Sequence, residues 1–165
     1  MTPEEFYTTI LTPALNKVAK FAPEMPRDRS VEVLMTAISG QEANWTERSQ
    51  DPGGEAHGLF QCQLNDIEDI IANPASAEFF KLAMKEFGIN TATAEHIFDI
   101  LATPEGDVLA AVMARLNLWC DPNPITPADE QQSLWQCYLR TWRPGAPNLK
   151  RWEVVYGQAL SAVPC

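Results

Sequence analysis

Val31-Glu32-Val33-Leu34-Met35-Thr36-Ala37-Ile38-Ser39-Gly40-Gln41-Glu42 reads as an amphipathic helix with an acid at its end. Val31, Leu34, Met35 and Ile38 fall at i, i+3, i+4 and i+7, and Glu42 comes four residues later, so a helix sets its carboxyl on the apolar stripe. Desolvation there, and the negative end of the helix dipole, both push the pKa of such a glutamate upward. A carboxyl that keeps its proton near neutral pH can give it to a leaving oxygen and later take one back, as glycosidic cleavage requires. A buried glutamate satisfied by backbone or by an arginine fits the same spacing.

Outward from this stretch the chain is punctuated as a helical protein. Thr-Pro at Thr2-Pro3, Thr12-Pro13, Thr103-Pro104 and Thr126-Pro127 supplies an N-cap followed by proline at the first helical position. Thr2 with Glu5, and Thr126 with Asp129, have capping-box spacing. The pattern predicts helices over 3–20 (kinked or broken at Pro13), 28–42, 65–72, 75–87, 92–102, 104–119, 127–142 and 148–160. Gly88 is expected to end the fourth, and the Asp121-Pro122-Asn123-Pro124 run the sixth. Sustained alternation of the strand type is missing, and 49–64 has room for one short hairpin, so the expected class is all-α or α with a minor β-hairpin.

The chain has 165 residues, 45% hydrophobic and 21% charged, which suits one domain with a sizeable core. Twelve basic against twenty-two acidic residues give a net charge of −10. That balance argues against nucleic acid or an anionic membrane surface as partner, and makes encounter with an anionic cell wall slow for a freely diffusing protein. No stretch reads as a signal peptide or a membrane-spanning segment, so synthesis in a cytoplasm without membrane insertion is expected. Cys62, Cys120, Cys137 and Cys165 lack paired metal spacing, and His57 and His96 add little, so neither a metal nor another cofactor is expected.

The segments around the acid read Ile38-Ser39-Gly40-Gln41-Glu42-Ala43-Asn44-Trp45, then Arg48-Ser49-Gln50-Asp51-Pro52-Gly53-Gly54, then Ala56-His57-Gly58-Leu59-Phe60-Gln61. They resemble the lysozyme-like superfamily, and within it the lytic transglycosylases and small bacteriophage proteins of that type. In those proteins a Gln-Glu-Ser-aromatic segment is followed by a Gly-Leu-Met-Gln-like one. Leu109 to Leu116 and Tyr138 to Gly145 look like the later helices of the phage proteins, which extends the resemblance over roughly residues 30–157. It implies one lysozyme-like domain over 1–165, with 1–27 as an N-terminal helical extension.

The resemblance further implies peptidoglycan glycan strands as substrate, cut at the MurNAc-GlcNAc β-1,4 bond. Glu42 takes the place of the general acid/base, and Gly58 to Gln61 that of the cleft floor. Gln61 offers an amide that both donates and accepts, and Gly58 a backbone that a ligand can approach. Leu59 and Phe60 suit a core as well as a cleft, although Phe60 falls in the substrate-binding segment. Tyr138 and Trp142, one helical turn apart, suit a cleft wall or a helix–helix packing pair.

Ala43 stands where many transglycosylases have serine. Asp51 and Glu55 are the candidate second carboxylates, which a muramidase needs and a transglycosylase does not, because the substrate's own C6 hydroxyl closes a 1,6-anhydro ring. The single-acid route suits the sequence better. Arg115, set among apolar residues, is expected to pair with a carboxylate beneath the cleft or to reach a surface acid. Other phage virion proteins are the further expected partners, with virion association and action at the cell wall or periplasm. The alternative is a non-catalytic tail or internal-core protein of the virion that retains the fold.

Overall fold

A computed structural model describes residues 1–49 and 54–165. The molecule is mostly helical with one small antiparallel sheet. It opens with α1 (Pro3–Phe6), a π-helical turn (Tyr7–Leu11) and α2 (Thr12–Phe21), which run on as one rod. Thr2 caps it, accepting from the Glu5 N–H while the Glu5 carboxylate accepts from the Thr2 N–H. The sequence pattern has Pro13 kinking or breaking this helix and Thr12 starting a new one. Instead the chain widens: the Thr12 N–H donates to the Tyr7 carbonyl, five residues back. That wider turn absorbs the missing proline donor and its ring.

Next comes α3 (Arg29–Ala43), capped by the Asp28 carboxylate on the Val31 N–H. Val31 and every residue from Val33 to Gly40 are buried, so α3 is a central helix with hardly any solvent face. Asn44 (φ 49°) and Trp45 (φ 57°) then turn left-handed, and Trp45 folds back over the helix to donate from Nε1 to the Thr36 carbonyl at 2.8 Å. Strands β1 (Ala56–His57) and β2 (Cys62–Gln63) pair with Ala56 opposite Gln63 and His57 opposite Cys62.

The second strand runs directly into α4 (Leu64–Ala72), followed by α5 (Ala77–Glu86), α6 (Ala94–Leu101), a 3-10 turn (Pro104–Gly106) and α7 (Asp107–Trp119). Gly88, at φ 66°, lets the Ile89 N–H reach back to the Met84 carbonyl and close α5. The chain ends with α8 (Gln131–Trp142) and α9 (Leu149–Ala162). Thr126-Pro127 does not open α8: Pro127 to Glu130 forms a separate turn, and the buried Thr126 Oγ1 has no partner among the described residues.

One hydrophobic cluster joins all the helices, from Phe6 and Leu15 through Leu34, Ile38 and Met113 to Trp152 and Val163. α3 packs chiefly on α9, and the N-terminal rod on α7, α5 and α9. The bidentate ion pair of Arg48 with Asp107, both contacts at 2.7 Å, ties the segment after α3 to the start of α7. No helix among the described residues is long and apolar enough to cross a membrane.

Candidate active site

Glu42 sits in the last turn of α3, half-buried, on an open groove of about 640 Å³. Burial is the main force on its carboxyl and raises its pKa; the Asp66 carboxylate adds to the rise, while Tyr138 and Arg151 work against it. The Tyr138 hydroxyl donates to Glu42 Oε1 at 2.5 Å. Tyr138 is held upright by its ring neighbours, stacked on Trp152 at 5.2 Å and packed on Trp135 at 5.2 Å. Burial, and then Glu42, push its own pKa up, so the shared proton stays on the phenol. Oε1 is therefore the held oxygen of Glu42, and Oε2 accepts no hydrogen bond among the described residues.

Arg151 closes the other side of this arrangement. Asn148 caps α9 on the Arg151 N–H, and the guanidinium donates to the Gln41 carbonyl at 3.1 Å and the Gly40 carbonyl at 2.7 Å. It thus satisfies carbonyls of the last turn of α3 and offsets the negative end of that helix. The Gln41 side chain returns the contact, donating from Nε2 to the Asn148 carbonyl at 3.2 Å.

The hairpin forms the groove's other wall. Gln61 lines it at the end of the turn: its Nε2 donates to the Gly58 carbonyl at 3.0 Å and the Glu47 carbonyl at 3.3 Å, while Oε1 is buried without a partner among the described residues. Those two carbonyls fix the amide's orientation, so Oε1 is an acceptor in want of a donor. Trp142 also lines the groove, its Nε1 donating to the Phe60 carbonyl at 2.9 Å. Glu47, Gln63, Asn65, Asp66, Arg143 and Asn148 complete most of a polar lining.

The structure brings Glu42, Gln61, Tyr138 and Trp142 together and sets Gly58, Phe60 and Glu55 away from the lining. Phe60 is fully buried beneath Trp142 and supports it rather than facing the groove. Gly58 (φ 79°) is also buried, and its close approach is to protein: a Cβ there would lie 3.1 Å from the Leu101 carbonyl and 3.3 Å from Ala110. Glu55 is exposed and not among the lining residues, and Asp51 lies outside the described residues. Ala43 is fully buried, so the absent serine hydroxyl takes nothing from the lining.

Arg115 pairs with no groove carboxylate. It is buried over the Trp119 ring and donates to the Pro26 carbonyl at 3.1 Å, and burial lowers its pKa to about 10. Sequence reasoning missed Asp66, Arg143 and Arg151. The available signals were Gln63 and Asp66 at capping-box spacing, and Asn148 three residues before Arg151. No group of three or more His, Cys, Asp or Glu among the described residues could hold a metal ion. No protein-family model matches the chain, and no curated protein or solved structure matches it either.

Proposed function

We propose that this groove cleaves the MurNAc-GlcNAc β-1,4 bond of peptidoglycan, with Glu42 as general acid and then base, on a lysozyme-like fold. The observation that carries the reading is the half-buried Glu42 carboxyl, raised in pKa and held through one oxygen by Tyr138 in a groove open to a chain-like ligand. A carboxyl so held keeps its proton for the leaving O4 and then accepts one from the attacking hydroxyl. The order acid-bearing helix, short hairpin, helix, with Gln61 on the hairpin facing the acid across the groove, supports the lysozyme-like assignment. Trp142 offers an aromatic surface for a sugar.

The net charge of −10 favours a virion-borne protein that reaches the wall as part of a particle, and equally a virion component of the same fold without turnover. Digestion of purified peptidoglycan by the wild type and by Glu42→Gln decides between them. Muropeptides released by the wild type and not by the variant support the enzyme. Stable incorporation into particles with no release by either supports the structural role.

A further inference from the structure

The geometry points to Asp66 as the second carboxylate of the groove, the base that takes a proton from a water attacking the sugar's anomeric carbon. This rests on Glu42 as the general acid of the glycosidase reading; it moves the base's part from Glu42 to Asp66, puts water in place of the attacking sugar hydroxyl, and so names the outcome as hydrolysis. Asp66 comes from the third residue of α4, directly after β2, so the returning strand of the hairpin delivers it to the groove that Glu42 enters from the end of α3.

One of its oxygens is fixed: Oδ2 accepts from the Gln63 N–H at 2.8 Å. The other is free. Arg143 Nη2 stands 3.7 Å from Oδ1, beyond hydrogen-bond reach, close enough to orient the carboxylate and too far to occupy it. Burial raises the Asp66 pKa, with the Gln63 contact and Arg143 opposing, and a base of raised pKa is the better proton acceptor. Both carboxylates also bear on one atom: burial first, then Asp66 and Glu42, push up the thiol of Cys62, buried at the start of β2. Glu42 and Asp66 line the same groove, and the Asp66 charge helps raise the Glu42 pKa; the exposed Glu47 also lines the groove, and Glu55 does not.

In the step, Glu42 gives its proton to the leaving O4 as the bond from C1 to O4 breaks. The water oxygen bonds to C1 and its proton passes to Asp66, and exchange with solvent restores both carboxyls. The product carries a reducing end with one oxygen from water. The single-acid route instead closes O6 on C1 and takes no oxygen from solvent.

The test is digestion of purified peptidoglycan in ¹⁸O-labelled water by the wild type, Asp66→Asn, Glu42→Gln and Asp69→Asn, read by mass spectrometry. The Asp66→Asn side chain keeps an acceptor for the Gln63 N–H, and Asp69, mostly exposed and also 3.7 Å from Arg143, makes the same charge change outside the groove. The expected result is labelled reducing-end muropeptides from the wild type and Asp69→Asn. Asp66→Asn should release them at least about 100-fold more slowly, and Glu42→Gln should release none. Azide added to folded Asp66→Ala should give glycosyl azide, since an anionic nucleophile needs no base.

Labelled product from Asp66→Asn at the wild-type rate, anhydro product alone from the wild type, or no azide product overturns the role of Asp66 while leaving Glu42 in place. No product of any kind from the wild type removes the glycosidase reading and this role with it.

Discussion

Replacing Gly40 by alanine sets two effects of opposite sign against each other. In a helix interior alanine is favoured over glycine by about 1 kcal/mol, so propensity alone makes Gly40→Ala stabilising. The structure opposes this: a Cβ on Gly40 would lie 2.4 Å from Trp45 Cζ2 and 2.7 Å from Cε2. Carbon atoms rest at about 3.5–4.0 Å, so the ring must retreat by roughly 1 Å. It is not free to do so, because Trp45 is 4% exposed and its Nε1 is anchored on the Thr36 carbonyl at 2.8 Å.

Overpacking of this kind costs about 1–3 kcal/mol, and stranding the indole N–H adds about 1–3 kcal/mol. Set against the gain from propensity, the net loss is about 1–5 kcal/mol, or roughly 3–15 °C in Tm for a chain of this size. Urea unfolding followed by circular dichroism and by tryptophan fluorescence measures it. A Gly40→Ala protein as stable as the wild type, or more so, refutes the claim that Trp45 locks the turn after Glu42.

The ion pair and the acid give further expected outcomes. Arg48→Met strands the nearly buried Asp107 carboxylate, whose side chain is 5% exposed; with Arg48 itself 26% exposed, the expected loss is about 2–3 kcal/mol. The double variant with Asp107→Leu should recover part of it, and a single variant within about 0.5 kcal/mol of wild type by urea unfolding contradicts the role. Tyr138→Phe removes a donor that lowers the Glu42 pKa, so the alkaline limb of a pH–activity profile should move to higher pH; an unmoved limb counts against the hydrogen bond. Glu42 has a folded pKa above its unfolded one, so its contribution to stability is present at low pH and lost as pH rises through the folded value. Glu42→Gln should therefore raise Tm at pH 8 by a few degrees, about 0.5–2 kcal/mol. At pH 4 it should leave Tm unchanged, and a gain of equal size at both pH values would show that ionisation is not its source.

The helical class is legible in the sequence because it rests on local signals: apolar spacing in 31–42, the Thr2–Glu5 cap, and Gly88 as a stop. Where those signals fail, a neighbouring geometry overrides them. The Thr12-Pro13 pair is absorbed by a π-helical turn, and Thr126-Pro127 by a turn ahead of α8. Glu42, Gln61, Tyr138 and Trp142 can be picked out because each lies in a short segment with its own pattern. Asp66 and Arg151 cannot, because both read as ordinary helix-capping residues and acquire their place only when α4 and α9 are brought against the end of α3. Gly58 and Phe60 show the converse relation between segment pattern and placement. Their segment reads as facing a ligand, but within it only Gln61 lines the groove, and the other two turn toward α6, α7 and Trp142.

The most direct test of Glu42 as the acid of a peptidoglycan-cleaving groove is mass spectrometry of purified peptidoglycan incubated with the wild type and with Glu42→Gln, each first shown to be folded. Muropeptides from the wild type, with release by the variant lowered at least about 100-fold, are the predicted result. Equal release by the two proteins would contradict it.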